Sequence, residues 1–228
     1  MSHASAESVG EILNHVWTIV VAGGSGIRFG ERKQFLDLGG RTVLQRSVDV
    51  ASSVSSGVVV VVPTDAVETT KIESSGALIV VVAGGSSRAE SVRRGLAGVP
   101  ADAQIVLVHD AARPLATKAL FARVIEAVTH GAEAVVPVVE LADTIRSVDG
   151  GVVDRSTLRA VQTPQGFRYD TLVDAHASGA EATDDASLAE AAGYTVTTVS
   201  GDPTNRKITD RADQYTAEAL LRHLESSS

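Results

Sequence analysis

Apolar positions along most of the chain fall in short continuous runs, each cut off by a turn signal. Runs at Trp17–Ala22, Gly57–Val62, Ala77–Ala83, Ile105–His109, Ala134–Val138 and Tyr194–Ser200 are rich in β-branched residues and predict strands. Between most of them, apolar residues recur at helical spacing over Val43–Val54, Ala66–Ser74, Ser91–Leu96, Lys118–Thr129, Tyr169–Ser178, Asp185–Ala192 and Ala212–Leu224. Strands that are apolar throughout are covered on both faces, so the alternation predicts an open α/β fold with a mostly parallel sheet flanked by helices. Residues Leu141–Gln162 break the pattern. They lack a helical period and carry the turn Asp149-Gly150-Gly151 between β-favouring residues. This predicts a hairpin, Ile145–Val148 against Val152–Asp154, projecting as a β-arm from the sheet. Such an arm needs a surface to lie on, and a second subunit is the usual one. No linker or low-complexity segment divides the chain. One domain is expected over 1–228, with a flexible tail at about 1–15 and the arm at about 141–162.

The 228 residues are 44% hydrophobic and 21% charged, ordinary values for a globular protein with a substantial core. A formal net charge of −8 argues against general nucleic-acid or anionic-membrane binding. The absence of cysteine excludes thiolate nucleophiles, disulfides and Cys-ligated zinc, and is compatible with a cytoplasmic location. The longest apolar run, Val58–Pro63, is far too short to span a bilayer. The first sixteen residues lack the basic and apolar regions of a signal peptide and read as a loose acidic tail.

The chemistry concentrates where strands end. The first strand runs into VVAGGSGIRFGERKQF at Val20–Phe35, and its opening VVAGGS returns at Val81–Ser86. The flanks differ, which argues against an internal repeat. Two strands of one sheet ending in the same words present two backbone-lined loops to one cleft, or else repeat a common strand-to-turn phrase. Glycines let a backbone approach phosphate oxygens. The first loop matches neither the P-loop nor the full dinucleotide fingerprint, since Arg28 and Phe29 stand at key positions. Instead Arg28 and Lys33 follow it, a pair suited to covering a triphosphate and a departing pyrophosphate. His109-Asp110-Ala111-Ala112-Arg113-Pro114 follows another strand. Asp110 there is placed to hold Mg2+ bridged by phosphates, and His109 reads as a packing or hydrogen-bonding residue. Thr183-Asp184-Asp185 reads first as a helix N-cap. No nucleophile–base pair stands out. That suits transfer between phosphate compounds, because a phosphate monoester is already ionised at pH 7.

Several motifs occur in an order that resembles the 2-C-methyl-D-erythritol 4-phosphate cytidylyltransferase family. They are AGGSGIRF with the later KQ, GGSSRAESV, HDAARP, ADT at Ala142–Thr144, VDR at Val153–Arg155, TPQ at Thr163–Gln165, ATDDAS at Ala182–Ser187 and NRKIT at Asn205–Thr209. The resemblance covers roughly residues 16 to 222 and implies a Rossmann-like nucleotidyltransferase that forms a homodimer through its arm. It further implies CTP binding by Ala22, Gly23, Gly24, Ser25, Gly26, Arg28, Lys33, Gly85, Ser86, Ser91 and Asp110. The polyol phosphate falls to Asp110, Arg113, Thr144, Arg155, Thr163 and Lys207, with Arg155 and Thr163 arriving from the partner's arm. Arg28, Lys33, Asp110 and Lys207 are the implied catalytic set, with Mg2+ on Asp110. Val21 and Arg32 stand where the family usually has proline, and Ser86 where it often has aspartate. Two rival functions remain beside this one: cytidylyl transfer to another polyol phosphate such as ribitol 5-phosphate, and nucleotide sensing without turnover.

Overall fold

The computed structural model describes residues 15–23, 32–74 and 76–226. Along the chain the strands are β1 (Val16–Val21), β2 (Asp37–Leu38), β3 (Arg41–Thr42), β4 (Gly57–Val62), β5 (Leu78–Ala83), β6 (Ile105–Asp110), β7 (Ala134–Val139), β8 (Ile145–Arg146), β9 (Val152–Val153), β10 (Ala160–Val161), β11 (Gln165–Arg168) and β12 (Val196–Ser200). The helices are α1 (Val43–Ser52), α2 (Arg88–Leu96), α3 (Lys118–Thr129), α4 (Tyr169–Ala177), α5 (Asp185–Ala191) and α6 (Arg211–Ser226).

Eight strands form one sheet in the order β10-β7-β11-β6-β1-β4-β5, with β12 paired to β7. The β6-β1-β4-β5 half is wholly parallel, as its apolar runs predict. Alternate side chains of these strands enter opposite layers. Val16 and Val20 join Val58 and Val60 beneath α1 and α3, while Trp17 and Ile19 join Val59 and Val61 against α2. Strands β1, β4 and β6 are buried on both faces, which explains their continuous hydrophobicity, while β5 at the edge of the sheet is half-buried. The two VVAGGS strands stand level, two places apart. Val20 is paired with Val60 and Val60 with Val81; Val21 is paired with Val61 and Val61 with Val82.

Three elements depart from the sequence pattern. Residues Ala66–Ser74 form no α-helix. A 3-10 turn covers Thr64–Ala66, after which the hydroxyls of Thr69 and Thr70 donate to the Ala66 carbonyl at 3.2 and 2.7 Å. Threonine competes in this way for the groups a helix would use. Helix α2 begins at Arg88 rather than Ser91, because the Ser87 side chain caps it by accepting from Glu90 N. Strand β11 is antiparallel to both β6 and β7 and carries no apolar run. Its Gln165 is fully buried, and its Gly166 lets α3 approach, since a Cβ there would lie 2.4 Å from Val124 Cγ1. The arm is an antiparallel pair of β8 and β9 around the predicted turn, with Val148 100% and Val152 64% exposed.

Candidate active site

Strand order reverses about β1: the chain builds β4 and β5 on one side of it, then crosses to β6 on the other. A crevice forms at such a switch point. Here the carboxyl ends of β1, β5 and β6 open onto a cleft of about 560 Å3. Ala22 and Gly23 line it from the first loop, and Gly85, Ser86 and Ser91 from the second loop and α2. The loops nearly touch, a Cβ on Gly23 lying 4.0 Å from Gly84 Cα and 3.3 Å from Ser91 Oγ on α2. Thus the twin strands serve one cleft. Gly24, Ser25, Gly26 and Arg28 lie outside the described residues.

One helical turn shapes the second loop. Gly85 N donates to Ser91 Oγ at 3.0 Å, and Ser86 donates to Glu90 Oε2 from its backbone N (2.7 Å) and its hydroxyl (2.6 Å). Arg94 closes the arrangement, donating to Gly84 O at 2.7 Å and to Glu90 Oε1. The Ser86 hydroxyl and amide, then Arg94, hold the Glu90 carboxyl down at about 2. The charge needed to orient this loop therefore comes from within α2, at Glu90 and Arg94, which the sequence-derived site set does not include.

Asp110 ends β6 level with Val21 of β1. Its Oδ2 lies 2.6 Å from Lys207 Nζ and its Oδ1 3.4 Å from Arg88 Nε. Burial opposes its ionisation, but Arg88, Lys207 and Arg113 overcome that and hold it well below the usual carboxylate range. Lys33 also lines the cleft and donates to Ile208 O at 2.8 Å, so Lys33 and Lys207 reach the site beside one another in space. Arg88, absent from the sequence-derived set, lies in the same lining. Its other end meets Asp185 at 2.7 Å, and burial of the guanidinium is more than offset by Asp185 and Asp110, which secure its charge.

The remaining candidates divide. Thr163 is buried beneath Asp110 of its own chain, where its hydroxyl accepts from Asp110 N at 3.0 Å. The expected arrival from a partner's arm does not describe this position: Thr163 follows β10, which is paired to β7 of the same sheet. That hydroxyl is 3.1 Å from His109 Nδ1, and His109 Nε2 is 3.3 Å from Arg113 O. A carbonyl only accepts, so Nε2 carries the hydrogen and Nδ1 accepts from Thr163. Burial, helped by Arg113, lowers the His109 pKa to about 4 against the opposing pull of Asp110. With both nitrogens engaged and Phe121 at 5.1 Å, His109 is the packing residue the sequence predicts. Arg113 does not line the cleft. It donates to Asn205 O at 2.8 Å and Val161 O at 3.2 Å, tying down the segment that carries Lys207. Thr144 and Arg155 sit exposed on the arm, outside the cleft lining, and Arg155 donates to Ala142 O.

Among the described residues no group of three or more His, Cys, Asp or Glu could hold a metal. A cation such as Mg2+ needs only one carboxylate when phosphates and water complete its shell. Asp110 fits that requirement: it is ionised and faces the cleft. The arrangement can grip polyanions and cover shifting charge.

Residues 16–223 match the family described as 2-C-methyl-D-erythritol 4-phosphate cytidylyltransferase (IspD). The chain is 48% identical to the protein of that name from Rhodococcus jostii (strain RHA1) over 216 residues, 90% of this chain and 95% of the relative. It is 44% identical to that of Nocardia farcinica (strain IFM 10152), over 90% and 94% of the two chains. Its fold superposes on the crystal structure of the Thermus thermophilus enzyme of that name with a TM-score of 0.75 and 39% identity, covering 90% of this chain and 98% of that one. The chain belongs to the 2-C-methyl-D-erythritol 4-phosphate cytidylyltransferase family.

Proposed function

We propose that the protein transfers CMP from CTP to 2-C-methyl-D-erythritol 4-phosphate, releasing pyrophosphate and forming 4-diphosphocytidyl-2-C-methyl-D-erythritol in non-mevalonate isoprenoid biosynthesis. The observation that carries this reading is Asp110, ionised between Lys207 and Arg88 in a cleft that both glycine loops enter. An ionised carboxylate with both oxygens engaged is a poor proton acceptor, and the reaction needs none. The monoester oxygen attacks the α-phosphorus directly, and the enzyme's work is to bring two anions together and cover the charge that moves. In this reading Ala22 to Gly26 wrap the phosphates, and Gly85, Ser86 and Ser91 hold base and ribose. Arg28 and Lys33 take the charge that builds on the leaving pyrophosphate. Lys207 and Asp110 orient the attacking polyol phosphate. Asp110 would hold Mg2+, which supplies further neutralisation of the triphosphate. Arg155 and Thr144 act from the arm of a second subunit in a homodimer, supported by the exposed valines of β9 and the adjoining turn. CTP as substrate supports a cytoplasmic location, and the net charge of −8 speaks against a nucleic-acid partner.

The test is a coupled pyrophosphate assay with CTP and Mg2+, offering methylerythritol phosphate and ribitol 5-phosphate separately. Faster turnover of ribitol phosphate would overturn the substrate assignment. CTP binding with no pyrophosphate release from either would make the protein a sensor.

A further inference from the structure

A line of ionisable side chains runs from the cleft into the core. Lys207 meets Asp110, Asp110 meets Arg88, Arg88 Nη1 lies 2.7 Å from Asp185 Oδ2, and Asp185 Oδ1 lies 3.0 Å from His176 Nε2. Asp185 is fully buried and His176 is 4% exposed. The sequence reads Asp185 as part of a helix cap, but that task falls to Asp184, whose side chain accepts from Ser187 N. Asp185 points the other way, into the protein. A buried carboxylate is costly unless it is paired and hydrogen-bonded, and this one is both. A carboxylate only accepts, so His176 donates from Nε2, which leaves its buried Nδ1 without a partner. The backbone N–H of Asp185 is fixed as well, donating to Gln165 Oε1 at 3.1 Å. The inner end of the line is therefore rigid, while its outer end faces the cleft.

We infer that Asp185, backed by His176, is a positioning residue that acts on the reaction through Arg88, fixing the Asp110 carboxylate where Lys207 and the substrates meet it. The inference rests on the reaction proposed above. Arg88 is suited to the task because a guanidinium is a planar fork that can hold two carboxylates at once, whereas an ammonium is a point charge. Without the anchor at Asp185, the 3.4 Å contact of Nε with Asp110 is too loose to fix either group. The plain alternative is a structural tie between α2 and α5, indifferent to the chemistry.

The two roles give different results. Asp185→Asn keeps the shape and removes the charge. Positioning predicts that kcat falls by about 10²-fold, as for a misplacement near 1 Å, with KM for CTP little changed. Arg88→Lys is expected to match it, and the double variant to lose no more than the worse single one, since both break one link. Arg88→Ala opens a gap that the cleft reaches, so millimolar guanidinium ion is expected to restore turnover in that variant and not in Asp185→Asn. A crystal structure of Asp185→Asn reads the position of Asp110 independently of turnover, and should show the carboxylate displaced from Lys207. Folded Asp185→Asn that keeps kcat within twofold, with Asp110 unmoved, would reduce the line to a structural tie. If Asp185→Asn fails to fold, the absence of rescue in Arg88→Ala leads to the same conclusion. If wild-type protein releases no pyrophosphate, the reaction falls, and the displacement of Asp110 in the crystal still decides the positioning.

Discussion

Lys207 Nζ lies 2.6 Å from Asp110 Oδ2, although the two residues are 97 positions apart. Arg88 holds the other oxygen of Asp110, so removing Lys207 does not strand a buried charge. Lys207→Ala is therefore expected to fold and to melt within a few degrees of wild type. Its kcat should fall by about 10²–10³-fold, the usual cost of losing one preorganised donor to developing charge. Pyrophosphate release under saturating CTP and polyol phosphate measures it. Turnover within threefold of wild type would remove Lys207 from the reaction.

His109 gives the fold a pH dependence of defined sign. Its folded pKa is lowered to about 4, against 6.5 in the unfolded chain. Between those values the unfolded chain takes up a proton that the folded one refuses. The stability it contributes is complete above 6.5 and is lost as pH falls toward 4. From pH 7.5 to pH 5 the loss amounts to about 2 kcal/mol. Urea unfolding of wild type and His109→Asn at the two pH values tests this. The variant starts lower but should lose less on acidification, and an equal loss would clear His109.

Gly85→Ala should damage nucleotide binding selectively. The added Cβ would lie 2.3 Å from Glu90 Cγ, forcing Glu90 off Ser86. A loop that has lost its clamp must be ordered again when nucleotide binds, so KM for CTP is expected to rise roughly tenfold. The KM for the polyol phosphate should stay near wild type. Initial rates with each substrate varied in turn separate the two. An unchanged KM for CTP would show that the second loop does not need the Glu90 clamp.

The arm supplies a fourth expectation. Val148→Asp places a charge at the fully exposed tip, where a partner would desolvate it. Sedimentation should show a shift toward monomer, and Arg155→Ala, at the base of the hairpin, should raise KM for the polyol phosphate while sparing CTP. A Val148→Asp protein that sediments like wild type would exclude the tip from the interface.

Features that one strand dictates by itself are legible in the sequence. Val58–Val62 can only be a doubly buried strand, and Asp110 follows an apolar run that aims it at a strand end. Features that rest on distant pairing are not. Strand β11 stays hidden because Gln165 is polar, and only its bonds to Asp184, Asp185 and Ala186 make it fit for the core. Arg88 looks like any basic residue opening a helix until the sheet order brings Asp110 and Asp185 to either end of it. Arg113 neighbours Asp110 in sequence, which points it toward the substrate, yet its guanidinium turns to the Asn205 and Val161 carbonyls. Composition over Ala66–Ser74 allows a helix, but threonine hydroxyls bonded to a local carbonyl break it.

The level pairing of Val20, Val60 and Val81 sets a length. The loops converge only beyond the strands, where a Cβ on Gly23 would lie 4.0 Å from Gly84 Cα. Neighbouring strands lie about 4.8 Å apart, so β1 and β5 end roughly 10 Å from each other. Backbone hydrogen bonds fix that interval, and no side-chain substitution can stretch it. The β1-β4-β5 ribbon is in effect a gauge block for the roots of the two loops. Mutation can change which groups are welcomed at either end, but the span between the ends belongs to the sheet.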